Sequence, residues 1–289
     1  MSSESVNDTN EVTVGLLHPG EMGAAFGAVL RGRGTVVLWA SSGRSAATAR
    51  RAELADLRDA GSVDELSRRS DVIVSVCPPH AALEVAHSVA GFDGVFVDVN
   101  AVSPATARAV AGAIEAGGGQ YLDCGIVGPP PRSPGTTRLY LSGTSAPGVA
   151  ALFAGTVVDA RILSDRVGAA SALKMAYAAW TKGTAALLVA IRALARAEDI
   201  EAALLEEWRT SLPDLPEQSL RAARSACSKG WRWVGEMEEI ASTFGAVNLP
   251  DGFHHAAAEI FRRAPRFDDA DADESTLDRV LIAMAGPGA

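Results

Sequence analysis

Short runs of β-branched and apolar residues alternate, through the first half of the chain, with stretches whose apolar positions recur at helical spacing. Val12–Leu17 reads as a strand and Gly20–Arg31 as the helix after it; Thr35–Ala40 and Ser45–Asp56 repeat the pair. Asp71–Val76 and Gly94–Val99 are almost continuously apolar, as strands covered on both faces are. Ala105–Ala116 has helical spacing, with Ser103 placed to cap it and Pro104 at the first helical position. Tyr121–Val127 and Arg138–Ser142 read as further strands, joined by the Pro/Gly-rich loop Gly128–Gly135. This alternation predicts an α/β fold with a doubly wound parallel sheet.

From about Gly168 the pattern changes. Apart from a linker at Leu212–Pro216 and a turn at Leu249–Gly252, the remainder is rich in Ala, Leu, Glu and Arg at helical spacing. The expectation is two domains, an α/β domain over residues 11–166 and an all-α C-terminal domain over 167–289. Ala169–Ala195 is predicted as one unusually long apolar helix. Its apolar stretch Leu173–Ile191 contains Lys174 and Lys182, which favours a buried helix over a membrane span. A helix apolar on most faces needs cover, and so small a domain has few elements to provide it, so a homodimer through residues 169–195 is expected.

Composition narrows the class. The chain has 289 residues, 48% of them hydrophobic and 21% charged, enough for a substantial core. A net charge of −9 argues against a nucleic-acid partner, which needs a basic face. One phosphate can still be held by a few local donors. The three cysteines, Cys77, Cys124 and Cys227, have no metal-like spacing and no disulfide framework, so no metal and a reducing, cytoplasmic setting are expected. The polar segment Met1–Asn10 lacks the apolar core of a signal peptide, and no membrane association is expected.

The chemistry begins where the first strand meets its helix. His18-Pro19-Gly20-Glu21-Met22-Gly23 is a glycine-containing turn in the strand–turn–helix context that seats a pyrophosphate on a helix N-terminus. That is the Rossmann-type arrangement, with His18 in place of the usual first glycine. Gly20 would let the backbone approach the phosphates, and Gly23 would let helix and strand pack closely. After the second strand the chain reads Ser41-Ser42-Gly43-Arg44-Ser45, with no carboxylate before Glu53. An acidic residue there would hold the ribose hydroxyls of NAD, whereas serines and an arginine suit a 2′-phosphate. The expected cofactor is NADP(H).

These motifs, with others along the chain, resemble the β-hydroxyacid dehydrogenase superfamily, which includes 6-phosphogluconate and 3-hydroxyisobutyrate dehydrogenases and the imine reductases. Within it, the chain is most similar to a less studied bacterial branch of NAD(P)-dependent oxidoreductases. The turn at His18–Gly23 is similar to the family's GLGxMG. Cys77-Pro78-Pro79 stands where the family has a loop beside the nicotinamide. Asp98-Val99-Asn100-Ala101 through Pro104 resembles the family's DxST…P segment, and Gly168–Met175 the helix start that carries the catalytic lysine, here Lys174. The resemblance departs at Asp123–Pro129, aligned with DAPVSGG, where Val127 replaces a substrate-binding serine and Pro129 a glycine. Ala178 replaces an asparagine, and Gly235, beside Glu236, replaces a lysine. Such a pocket is expected to be more apolar, ringed by Tyr177, Trp180, Trp231 and Trp233.

Lysine can donate or take a proton once a dry site lowers its pKa toward neutrality. Lys174, Tyr177 and Thr181 lie at i, i+3 and i+7, hence on one helix face. The expected roles are Lys174 as proton relay, Tyr177 as the group orienting the substrate, and Asn100 as a hydrogen-bonding partner of nicotinamide or substrate. The cofactor contacts expected are His18, Pro19, Gly20, Glu21, Met22, Ser41, Ser42, Arg44, Ser45, Cys77, Pro78, Pro79 and Asn100. Three functions remain in play: hydride transfer to a carbonyl or alcohol carbon of a small molecule, reduction of an imine, and a non-catalytic NADP(H)-sensing dimer.

Overall fold

Residues 12–267 and 276–285 are described by the computed structural model. The expectation for Met1–Asn10 falls outside them. The chain divides into two units. One holds the residues up to Asn100 together with Thr106–Ser171; the other holds Ala101–Ala105 and the residues from Ala172 onward. The expected division at 166–167 lies five residues before the one between Ser171 and Ala172.

The first unit is built on β1 (Thr13–Leu16), α1 (Glu21–Arg31), β2 (Val36–Trp39), α2 (Ala46–Leu54), β3 (Arg58–Asp59), α3 (Val63–Arg68) and β4 (Val72–Ser75). A 3₁₀ turn at Pro79–Ala81 leads into α4 (Ala82–His87), β5 (Val95–Asp98), α5 (Pro104–Ala116) and β6 (Gln120–Val127). The last elements are β7 (Thr137–Ser142), α6 (Ala146–Leu152) and β8 (Val158–Ser164). The eight strands form one sheet in the order β3-β2-β1-β4-β5-β6-β7-β8. It is parallel except where β7 runs antiparallel to β6. The Pro/Gly-rich loop returns the chain directly instead of through a crossover helix, and that forces the reversal.

The β-branched runs became strands because both faces are covered. Val14, Val37, Val74, Val97 and Leu122 are buried with Phe26 and Phe153 in one apolar cluster. The two phenylalanine rings meet edge-on at 5.7 Å. β1 lies between β2 and β4, so the strand order reverses beside its C-terminal end, the place where open α/β sheets form ligand crevices.

In the second unit α7 (Ala169–Ala197), whose first three residues belong to the first unit, is followed by α8 (Glu201–Ser211), α9 (Leu215–Gly245), α10 (Gly252–Arg263) and α11 (Thr276–Ala285). The linker expected at Leu212–Pro216 is shorter than that: α9 starts at Leu215, with Pro216 in its first turn. Proline loses nothing there, because first-turn N–H groups have no helical acceptor. Two apolar clusters hold the bundle. One contains Met175, Ala178, Met237, Ile240 and Phe261; the other contains Leu188, Val189, Trp208 and Val280.

By length and composition α7 could cross a membrane. Two of its cations are nonetheless paired inside the bundle. Arg192, 4% exposed, donates to Glu201 and, at 2.8 Å, to Ser219. Lys182 pairs with Glu236.

Candidate functional site

The turn after β1 supplies the first part of the site. The Gly20 N–H donates to the His18 carbonyl at 2.8 Å, which tightens the chain before α1 begins. No side chain caps α1, so its first N–H groups are free to meet an anion. A Cβ at Gly20 would have no atom within 4 Å, so the space above that backbone is open. A Cβ at Gly23 would stand 2.4 Å from the His18 carbonyl oxygen, so close helix–strand packing requires glycine there. An open approach, an uncapped helix start and a close-packed glycine suit a dinucleotide pyrophosphate. Pro19 is buried, and its carbonyl accepts from Arg51 Nε at 3.2 Å, tying the turn to α2. Glu21 is exposed, and Met22 packs against the sheet core.

Beyond β2, Ser45 caps α2, its hydroxyl accepting from the Thr48 N–H at 3.3 Å. The exposed Ser42 uses its own N–H on the Gly61 carbonyl, and Ser41 is half-buried. Arg44 turns back across the sheet edge and donates to the Leu17 carbonyl at 3.2 Å, immediately before the glycine turn. Its Nε is buried without a partner, and so is His18 Nδ1. Burial and the Arg44 charge hold the His18 imidazole down at a pKa of about 4, hence neutral. The exposed Arg132 borders an open groove of about 520 Å³ with Glu21, Ala25 and Arg51, beside α1.

Asn100, after β5, clamps the ends of β4 and β5. Its Oδ1 accepts from the Cys77 N–H at 2.6 Å, and its Nδ2 donates to Ser75 Oγ at 3.1 Å. It therefore holds the Cys77-Pro78-Pro79 loop in place. Burial pushes the Cys77 thiol up to about 11, so it is a poor nucleophile at neutral pH.

Behind this clamp lies a buried acidic network. Asp98 accepts from the Asn100 N–H and the Tyr121 hydroxyl, each at 3.0 Å. Burial raises it to about 6, with the Asp123 charge adding to the rise. Asp123 accepts from Ser142 Oγ at 2.8 Å, the Ser171 N–H at 3.0 Å and Ser171 Oγ at 2.5 Å. Ser142 Oγ in turn accepts from the Ala170 N–H at 2.9 Å. Two N–H groups at the start of α7 thus end on side chains of β6 and β7. Sequence reasoning missed these partners. Their one signal is an acidic residue in an otherwise apolar strand, Asp98 at the end of β5 and Asp123 within β6.

In the second unit Lys174 is half-buried, and burial lowers its pKa from 10.5 to about 8. Lys182, two turns on, is pushed well down by burial and by the Lys174 charge, while its contact with Glu236 opposes that shift. Its ammonium also lies 5.7 Å from the Trp233 ring centre. Glu236, beside Gly235, thus has a partner on α7.

Tyr177 is 46% exposed, and the hydroxyl of Thr181, one turn on, donates to its carbonyl at 3.4 Å. The expected ring of Tyr177, Trp180, Trp231 and Trp233 does not form. Trp180 is 74% exposed, Trp231 stacks under Arg266 at 4.0 Å, and Trp233 packs edge-on against Phe261. Residues two apart on a helix point about 200° apart, so Trp231 and Trp233 cannot line one pocket. His254 is buried against Phe244, at 4.2 Å between ring centres, while His255 is exposed and paired with Glu238. Among the described residues no group of acidic, His and Cys side chains could hold a metal.

Similarity to known proteins agrees with this architecture. The structure of MTH1747, a conserved protein of unknown function with structural similarity to 3-hydroxyacid dehydrogenases, superimposes with a TM-score of 0.65 at 26% identity. The match covers 88% of this chain and 98% of that one. A 3-hydroxyisobutyrate dehydrogenase of Mycobacterium tuberculosis gives a TM-score of 0.70 at 17% identity, over 94% and 99% of the two chains. The fold is that of the 3-hydroxyacid dehydrogenases. It extends to an imine reductase of Streptomyces aurantiacus, with a TM-score of 0.53 and 22% identity over 94% and 99% of the chains. Residues 195–264 match a family described as a domain of unknown function, DUF1932, which runs from the end of α7 to the end of α10. An uncharacterized 28.5 kDa protein of Methanothermus fervidus is 30% identical over 167 residues, 57% of this chain. The chain spans 63% of the length of that relative.

Proposed function

We propose that the protein is an NADP(H)-dependent oxidoreductase that moves a hydride between the nicotinamide and a carbonyl or alcohol carbon of a small organic substrate. The observation that carries this reading is the open, uncapped turn at Gly20 in a dehydrogenase fold whose long helix carries, near its start, a half-buried lysine of pKa about 8. The pyrophosphate would rest on the first N–H groups of α1, and the 2′-phosphate on Arg44 and the start of α2. Bound there, the nicotinamide supplies or accepts the hydride. In reduction, the Lys174 ammonium donates a proton to the oxygen as it gains negative charge, and the neutral amine then recovers a proton from water. In oxidation the neutral amine takes the alcohol proton. Asn100, by holding the Cys77 loop, keeps the adjoining backbone in position.

Imine reduction is the second reading. Where the family resemblance expects polar anchors, this chain has Val127 and Ala178, 3% and 1% exposed, so there is less to hold a hydroxy acid. The protein is proposed to act as a homodimer in the cytoplasm. Tyr177, Trp180, Thr184, Leu187, Ile191 and Leu194 alternate by three and four residues along α7, the spacing of a seam between helices. Trp180, Leu187 and Leu194 are 74%, 45% and 62% exposed within one chain.

The test is turnover of ketones, hydroxy acids and cyclic imines with NADPH and NADH. Turnover of ketones or hydroxy acids is expected, with Lys174→Met lowering kcat about 10²–10⁴-fold while cofactor affinity holds. With the lysine at about 8, kcat for reduction should fall as pH rises above 8, and kcat for oxidation should rise through the same range. Imine turnover that survives Lys174→Met intact would favour the second reading. Cofactor binding with no turnover of any substrate class would favour a sensing dimer.

A further inference from the structure

We infer that His18 is a specificity-determining residue that reads the adenosine 2′-phosphate together with Arg44, its Nδ1–H donating to a phosphate oxygen. The inference rests on the NADP(H) reading above and adds a residue to it.

The argument starts from two atoms. His18 Nδ1 and Arg44 Nε are both buried and both lack a hydrogen-bond partner. Buried polar atoms almost always find one, and an orphan costs about as much as a lost hydrogen bond. These two orphans are neighbours. Arg44 reaches from the β2–α2 connection to bond the carbonyl of Leu17, the residue just before His18, at 3.2 Å. The guanidinium therefore lies over the same end of β1 that carries the imidazole, and its charge is felt by that ring.

Two unspent nitrogens on adjacent segments would share an acceptor. A neutral imidazole has one N–H to give, and in the Nδ1–H tautomer nothing of the protein takes it. An anionic oxygen would accept from both. The start of α2 lies on the same connection, one residue after Arg44, with the Ser45 hydroxyl at its cap. Its N-terminal dipole favours negative charge. A glycine at position 18 would offer backbone alone. The histidine puts a side-chain donor at the sheet edge between the pyrophosphate turn and the β2 terminus, where the adenosine ribose of a dinucleotide lies.

Burial leaves the ring neutral in the free protein, so recognition does not require a second proton. Other charges close to this turn include Glu21 at the start of α1, Arg132 across the groove beside it and Arg51 of α2, the last committed to the Pro19 carbonyl. None of these occupies the two orphaned nitrogens.

The test measures binding of 2′,5′-ADP and 5′-AMP, which differ only by the 2′-phosphate, to the full chain by calorimetry at one pH and ionic strength. Wild type is expected to prefer 2′,5′-ADP. His18→Gly should lower that preference about tenfold to a hundredfold, the range for a hydrogen bond to a charged group, and move 5′-AMP less than about twofold. His18→Asn, whose side-chain amide nitrogen stands near the Nδ1 position, should restore most of the preference. His18→Gln, whose amide reaches the Nε2 position, should not. If His18→Gly does not fold, the contrast between the Asn and Gln variants decides. A preference unchanged in His18→Gly but lost in Arg44→Ala would overturn the role of His18 and leave the NADP(H) reading standing. Equal weakening of both nucleotides would reduce His18 to a shaper of the turn and overturn its role as well. Equal affinity of wild type for the two nucleotides would sink the NADP(H) reading and this inference with it.

Discussion

At the scale of single residues, chemistry here is set by what surrounds a side chain more than by its identity. Lys174 and Lys182 lie on one helix, yet one sits near the pKa a proton relay needs and the other is committed to Glu236. Asp98 shows the same principle with a carboxylate. Its ordinary value is 3.8 and its native one about 6, because burial, with the Asp123 charge, outweighs the hydrogen bonds from Asn100 and Tyr121. The native state therefore binds the proton more tightly than the unfolded chain does. Between those two values the native state carries more protons, so the Asp98 contribution to stability falls as pH rises. A shift of that size is worth on the order of 3 kcal/mol across the window. Asp98→Asn should remove this part of the pH dependence, flattening denaturant-derived stability between pH 4 and 7. An unchanged profile would show that Asp98 ionises as freely in the native state as in the unfolded chain.

Helices and strands were legible to different degrees. β1, β2, β4 and β5 announce themselves as apolar runs because both sheet faces are covered. The short β3, α3 and α6 carry too few periodic residues to be read. α7 is obvious as a helix, but nothing in its own sequence says how it starts. Its N-terminal amides are taken up by Ser142 and Asp123, 28 and 48 residues away in the chain. Asp123 thus anchors the first turn of α7, and if Lys174 is the proton relay proposed above, loss of that anchor has a kinetic signature. Asp123→Asn keeps the shape but loses one acceptor, and should lower kcat about tenfold with KM for cofactor unchanged. It should also shift the upper limb of the kcat–pH profile, which a purely structural loss would leave in place. Ser171→Ala should reproduce the shift in part, since the Asp123 contact through the Ser171 N–H survives.

For the whole molecule, the apolar seam of α7 calls for cover. Within one chain it is exposed at Trp180, Leu187 and Leu194. A second copy is the simplest cover, since an isologous helix pair buries the same residues on both sides. Trp180→Glu combined with Leu187→Glu should convert a dimer to monomer in sedimentation at micromolar concentration, while the circular dichroism stays helical. A wild-type monomer would contradict the proposal outright.

The sequence by itself determined the central strands of the sheet, the long helix, the glycine turn and the positions of Lys174 and Arg44. Those follow from local rules: period-two and helical spacing, the backbone freedom of glycine, and charge at a helix start. Only the tertiary structure decided that Asn100 is a clamp, that Asp98 and Asp123 are buried acids, that Trp231 and Trp233 part company, and that His18 and Arg44 share unspent donors. Each of those depends on residues far apart in the chain meeting in a dry interior. There, an unpaired nitrogen or a desolvated carboxylate costs free energy that no local pattern records.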